Sequence, residues 1–189
     1  MVDLYSCFEY ERRFLVVDLD IIDRIVPEQI IQGYLLAEDG YAVRVRLTCD
    51  MDTAALKTLA SCASDDMRKA ICASSDKFTS AYIAVKSPPI SGIRYEREME
   101  LPVEVATRVC AHSMGFVFKS RYPVISDEDL WVVDVFHGVN SPLVLAECER
   151  DEPVVELTVP KFVGREVTDD VRYNSDYLAM SPFSNWSTN

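Results

Sequence analysis

Charged side chains recurring at every second position are the chemical signature of this chain. Glu9 and Glu11 alternate with Phe8, Tyr10 and Arg12, and Arg13 continues their parity. Arg44 and Arg46 stand among Val43, Val45 and Leu47, and Lys86 follows Ile83 and Val85. Arg94, Glu96, Glu98 and Glu100 share one parity; Lys119 pairs with Arg121, Glu147 pairs with Glu149, and Asp134 sits between Val133 and Val135. A strand's two-residue period sends each set to one face. Clustered carboxylates offer the hard oxygen donors that Mg²⁺ or Mn²⁺ take. Arginines and lysines offer charge-assisted hydrogen bonds to phosphate oxygens.

Two placements of these faces are open from spacing alone. Facing water, the charges form surface ion pairs of little individual worth. Turned inward, they line a polar lumen, and the apolar alternate face is left for outer helices to cover. In that case the bases are Arg13, Arg44, Arg46, Lys86, Arg94, Lys119 and Arg121. The acids Glu9, Glu11, Glu96, Glu98, Asp134, Glu147 and Glu149 match them in number. Such a lumen is roughly neutral when empty, and one or two divalent cations make it attractive to a polyphosphate.

The elements that must position these residues follow from the same alternation. Strands are expected at Ser6–Val16, Ile30–Leu36, Tyr41–Thr48, Thr79–Ser87, Gly92–Leu101, Phe116–Ile125, Leu130–Phe136 and Leu143–Asp151. Glu38-Asp39-Gly40 marks one hairpin turn, and Pro88-Pro89 followed by Ser91-Gly92 marks another. Pro102 opens a helical pattern through Val105, Ala106, Val109 and Cys110 that Gly115 is expected to end. Leu56, Leu59, Ala60 and Ala63 fall on one helix face, and Met67, Ala70 and Ile71 suggest a second short helix. Val167 to Met180 is expected to form a helix packed outside, and 181–189 a polar tail. The fold class is therefore α+β, mainly β: a closed, eight-stranded antiparallel barrel with helices outside, since closure removes bare strand edges. Residues 1–180 form one domain, with a helical insertion at about 50–78.

Bulk properties narrow the function. The chain has 189 residues, 49% hydrophobic and 26% charged, which fits one soluble globular domain. Its formal charge of −12, from 31 acidic against 19 basic residues, disfavours a nucleic-acid surface while permitting a small polyanion held in a cavity. Apolar runs are too short to span a membrane, and early acidic residues at Asp3, Glu9 and Glu11 argue against an export signal, so a cytoplasmic location is expected. The six cysteines form no CxxC pair, which speaks for reduced thiols rather than a zinc site. His112 and His137 lack the spacing of a nucleophile–base pair or a metal clasp.

Beyond these properties, Glu9-Tyr10-Glu11-Arg12-Arg13-Phe14 resembles the ExExK opening of the CYTH family, the triphosphate tunnel metalloenzymes. The likeness continues through Gln32-Gly33-Tyr34-Leu35, Val43-Arg44-Val45-Arg46, Ala81 to Lys86, and Arg94 to Pro102. It runs on through Lys119-Ser120-Arg121-Tyr122, Val133-Asp134-Val135-Phe136, Leu145 to Glu149, and Val167 to Ala179, in family order. The resemblance implies the inward placement, in an eight-stranded tunnel open at both ends. It implies Mg²⁺ or Mn²⁺ bound by Glu9, Glu11, Glu147 and Glu149, with Glu96 and Glu98 orienting the bases or holding a second metal. Arg44, Arg46, Lys86, Lys119 and Arg121 would hold phosphates, helped by Arg94; Asp134 matches a tunnel acid of unspecified role. Glu9, Glu11, Arg13 and Lys86 are the expected catalytic group. Arg13 replaces the motif's lysine, keeping the charge but changing its shape, and is expected to bind phosphate with the other bases. The implied activity is metal-dependent hydrolysis of a triphosphate, with inorganic tripolyphosphate first and with adenylate cyclase (class IV), thiamine triphosphatase or a non-catalytic polyphosphate binder as rivals. The expected partner is that small molecule alone, bound by a monomer or homodimer.

Overall fold

A computed structural model describes residues 7–126, 129–150 and 152–186. Ser6, Asp151 and the last three residues of the expected tail lie outside the described residues. The alternating segments form β1 (Phe8–Val16), β2 (Glu28–Glu38), β3 (Tyr41–Cys49), β4 (Phe78–Lys86), β5 (Ile93–Glu100), β6 (Gly115–Ser126), β7 (Asp129–Phe136) and β8 (Val144–Arg150). All neighbours are antiparallel in the order β5-β4-β3-β2-β6-β7-β8-β1, and a β1–β5 pairing closes the barrel. A short β9 (Val163–Glu166), which its sequence did not announce, pairs with the end of β1.

Both expected hairpin turns form. Asp39 and Gly40 take positive φ of 50° and 80°, and Ser91 and Gly92 take 50° and 76°, the geometry of a tight two-residue turn. At Gly92 a side chain is excluded twice over. Its φ disfavours one, and a Cβ there would strike the Glu11 carbonyl across the β1–β5 seam.

The apolar strand faces point outward, and helices cover part of them. The insertion folds as α1 (Thr53–Ala60) and α2 (Ser64–Ala73), and α3 (Val103–Cys110) lies beside them. Asp52 caps α1 by accepting from the Ala55 N–H at 2.7 Å. Leu56, Ile71, Ala106 and Cys110 pack on Ile31, Val45, Leu47, Ala81 and Phe118 of the wall. Full burial of a leucine or isoleucine stabilises by about 1.5–3 kcal/mol, so the insertion packs on and covers this wall. On the opposite wall Trp131, Phe14, Cys148 and Phe162 form a second cluster.

Three expectations are revised. Gly115 does not end α3; Ala111 follows the helix, and Gly115 begins β6 because a Cβ would collide with the Ala179 backbone. The Val167–Met180 segment is not one outer helix but a 3₁₀ turn (Val171–Tyr173) and a short α4 (Ser175–Met180). The following stretch is packed as far as Trp186, whose ring meets Tyr173 edge-on at 5.1 Å. Among the described residues no helix is long and apolar enough to cross a membrane.

Candidate active site in the tunnel

Because apolar parity faces the helices, charged parity faces inward. The barrel encloses a cavity of about 270 Å³. Glu9, Glu11, Arg13, Arg44, Arg46, Lys86, Arg94, Glu96, Glu98, Lys119, Arg121, Glu147 and Glu149 all line it. Every base and acid singled out from spacing is there except Asp134, which lies beneath the lining. Glu100, of the same parity on β5, falls at the strand end outside it.

Antiparallel register sets acids against bases. Arg13 stands opposite Glu147, Lys86 opposite Glu96, and Arg121 opposite Asp134. Asp134, fully buried, accepts from Lys119 Nζ at 2.6 Å and from Arg121 Nε and Nη2 at 2.8 and 2.7 Å. Burial opposes its charge, but Arg121 and Lys119 hold its pKa well below the carboxylate range. Its role is thus to fix two cations facing the cavity. Burial, then the Arg121 charge, pushes the Lys119 ammonium down to about 8.

Lys86 Nζ bridges Glu9 (2.8 Å) and Glu96 (2.7 Å). These two carboxyls also bond each other, so the pair keeps one proton: burial and Glu96 raise Glu9 to about 8, while Glu96 falls to about 2. Arg44 reaches Glu96 (3.2 Å) and Glu98 (3.4 Å), and Arg46 reaches Glu98 (2.7 Å). The buried Arg44 Nε has no acceptor among the described residues. Burial and the charges of Glu147, Glu11 and Glu96 raise Glu149, with Lys86 opposing them.

Arg13 is more committed to the protein than a phosphate-binding residue need be. Its Nε donates to Glu147 (2.8 Å), Nη2 to Glu11 (2.7 Å) and Nη1 to Asn174 Oδ1 (2.5 Å). A lysine could not divide three bonds in this fixed plane.

The carboxylates fit a hard divalent cation by donor type. Glu9 retains a proton that a cation can displace, and Glu149 is crowded by like charge. Among the described residues, no three donors already stand together as a metal clasp, because Glu9, Glu11 and Glu147 lean on lysine and arginine.

Spacing did not single out Tyr34, Ala42, Ser175 or Asp176 as lining residues. Tyr34 shares the inward parity of Gln32, and its hydroxyl donates to the Gln32 side chain at 3.2 Å. No strand period could place Ser175 and Asp176, since they arrive on α4. That segment touches opposite walls: Asn174 meets Arg13 of β1, Asp176 lies 3.8 Å from Arg94 of β5, and Ala179 abuts Gly115 of β6. It therefore spans one end of the tunnel, where the resemblance implied an opening.

No family model matches the chain. It is 34% identical over 107 residues to an inorganic triphosphatase of Acetivibrio thermocellus, covering 56% of this chain and 69% of that protein. It is 40% identical over 68 residues to an inorganic triphosphatase of Nitrosomonas europaea, covering 34% of this chain and 45% of that protein. A crystal structure of an inorganic triphosphatase superposes with a TM-score of 0.57 at 26% identity, over 96% of this chain and 97% of the other. The charge-lined closed barrel and the 34% identity across two thirds of a relative agree, and the chain belongs to the CYTH family of triphosphate tunnel enzymes.

Proposed function

We propose that this protein hydrolyses inorganic tripolyphosphate to orthophosphate and pyrophosphate in its tunnel, in the presence of Mg²⁺ or Mn²⁺. The observation that carries this reading is the lining: paired acids and bases around a cavity of about 270 Å³, with Tyr34 its one aromatic ring among the described residues. Such a surface recognises phosphate oxygens and offers no stacking platform for a base.

Arg44, Arg46, Lys86, Lys119 and Arg121 supply the cations that hold the three phosphoryl groups, and Arg94, whose Nε and Nη2 donate to the Ser87 and Gly40 carbonyls, helps by its charge from the tunnel end. A divalent cation held by Glu9, Glu11, Glu147 and Glu149, with Glu96 and Glu98 beside them, supplies neutralisation of the phosphate oxygens and polarisation of phosphorus. Lining glutamates orient a water in line with the terminal phosphorus; its oxygen forms the new P–O bond while the bridging P–O bond breaks, and its proton passes by way of a lining carboxylate to the phosphate products. Charge leaves on pyrophosphate oxygen, where Lys119 and Arg121, fixed by Asp134, stabilise it. Arg13 acts through others: it holds Glu11, Glu147 and the segment across the tunnel end. We place this chemistry in the cytoplasm, where the six free thiols stay reduced, and in a monomer or homodimer.

The test compares tripolyphosphate, ATP and thiamine triphosphate with purified protein, reading orthophosphate, pyrophosphate and cyclic AMP. The expected result is the highest kcat/KM for tripolyphosphate and no cyclic AMP. Cyclic AMP released with pyrophosphate would make the protein a cyclase, and binding without turnover would make it a polyphosphate-binding module.

A further inference from the structure

We propose that Asp176 sets the length of the phosphate chain that the tunnel accepts; the inference rests on the triphosphate reading above. Asp176 is the one lining carboxylate, among the described residues, that comes from the segment across the tunnel end and not from the barrel wall. Wall carboxylates neutralise the cations beside them and yield to phosphate or to a cation. Asp176 stands differently.

Its nearest cation is Arg94, with Nη2 3.8 Å from Oδ2, beyond hydrogen-bond reach. Arg94 is already satisfied elsewhere, since Nε donates to the Ser87 carbonyl (3.1 Å) and Nη2 to the Gly40 carbonyl (3.4 Å). Asp176 is therefore not needed to hold Arg94. Its segment is also held in place. The Tyr177 N–H donates to Oδ1 at 3.0 Å, Asn174 is tied to Arg13, and Leu178 is fully buried with its carbonyl accepting from Asn140 Nδ2 at 3.3 Å. The close approach of Ala179 to Gly115 locks the far end of the helix.

A buried negative charge, only loosely paired with Arg94, thus stands at the end of a lane otherwise built to attract phosphate. A triphosphate spans the basic wall and stops short of it. One more phosphoryl group brings its own charge against the carboxylate in a cavity that screens poorly, and repulsion excludes it. A residue that merely held the helix in place would weaken the protein without changing this discrimination.

The experiment measures kcat/KM for tripolyphosphate and tetrapolyphosphate in wild type, Asp176→Asn and Asp176→Glu. Wild type should favour the shorter chain, and Asp176→Asn should narrow that ratio by about tenfold or more, chiefly through KM for tetrapolyphosphate. Asp176→Glu keeps the charge and carries it further into the lane, so the ratio should hold or widen; this variant decides the matter if the asparagine form does not fold. A wild-type ratio near one, or a ratio that Asp176→Asn leaves unchanged, overturns the proposal, as does a fall with glutamate. Thermal-shift titration with the same two polyphosphates repeats the comparison without turnover. Length-selective binding with no phosphate release would sink the hydrolase reading and leave this one standing.

Discussion

Replacing Asp134 by asparagine removes the charge that Lys119 and Arg121 share while keeping the shape of the side chain. The cost has two parts. Lys119, 2% exposed, loses its 2.6 Å partner; with its pKa already down near 8, it sheds its proton at pH 7 for about 1.4 kcal/mol. Arg121, about a fifth exposed, loses two charged bonds but retains Glu147 at 3.3 Å, and the lower end of about 1.5–3 kcal/mol applies. The sum is about 3 kcal/mol, the low end for a broken buried pair. For a chain of this size that lowers Tm by about 6–12 °C. Tripolyphosphate returns an acceptor to both cations, so it should raise the Tm of Asp134→Asn by more than it raises wild type. Calorimetric melts at pH 7, with and without 1,000-fold excess ligand over Kd (worth about 4 kcal/mol of linkage), check both statements. A Tm within about 2 °C of wild type would refute the argument that Asp134 is the anchor of these two bases.

Three further outcomes are expected. Glu149→Gln, or Glu147→Gln, should lower kcat at least about tenfold with the melt preserved for Glu149, because a hard cation loses a ligand and a charge; full activity of Glu149→Gln in phosphate release would remove it from the metal set. Cation stabilisation should grow with pH. Glu9, raised to about 8, binds its proton in the folded state but not in the unfolded state between its ordinary 4.5 and 8, so its contribution to stability is lost as pH rises. His137, lowered to about 4 by burial, adds the opposite slope up to its ordinary 6.5, which leaves the loss in the cation-free protein between about 6.5 and 8. Lys119, protonated in both states below 8, adds no slope there. Mg²⁺ or Mn²⁺ takes the proton's place, and its Tm increment should be larger at pH 8 than at pH 6; an increment independent of pH contradicts the shared proton of Glu9 and Glu96. Finally, Arg13→Ala should lose most activity and loosen 170–180 to proteolysis, whereas Arg13→Lys should keep substantial activity, since it holds a charge between Glu11 and Glu147 but cannot also reach Asn174; alanine at wild-type rate would detach Arg13 from the site.

The barrel and most of its lining were legible because a strand has one strict period. Once Val43, Val45 and Leu47 face outward, Arg44 and Arg46 have no other side to occupy, and the same logic places Glu96, Lys119 and Glu149. The turn at Asp39-Gly40 sets Glu38 against Tyr41 and Leu36 against Val43, but a bulge between Tyr34 and Leu36 shifts the register before Tyr34 meets Arg44, a break in β2 parity that alternation alone did not announce. What parity cannot report is depth: Asp134 follows the inward pattern yet sits under the lining, where its burial depends on the length of two basic neighbours. Nor can it report a short segment folding back. β9 has four residues, and α4 has six with Asp176 inward and Leu178 buried, too few for a helical period to stand out. Gly115 read as a helix stop because glycine commonly ends helices; it serves here for close approach to Ala179, a contact visible only in three dimensions.

The central claim is that the charged lumen splits a triphosphate with the help of a divalent cation. Orthophosphate release from tripolyphosphate by the purified chain, with Mg²⁺ or Mn²⁺ and then in excess chelator, tests it most directly. One orthophosphate and one pyrophosphate are expected per tripolyphosphate, abolished by the chelator and restored by the cation. Full turnover in chelator, or none with either cation, would contradict it.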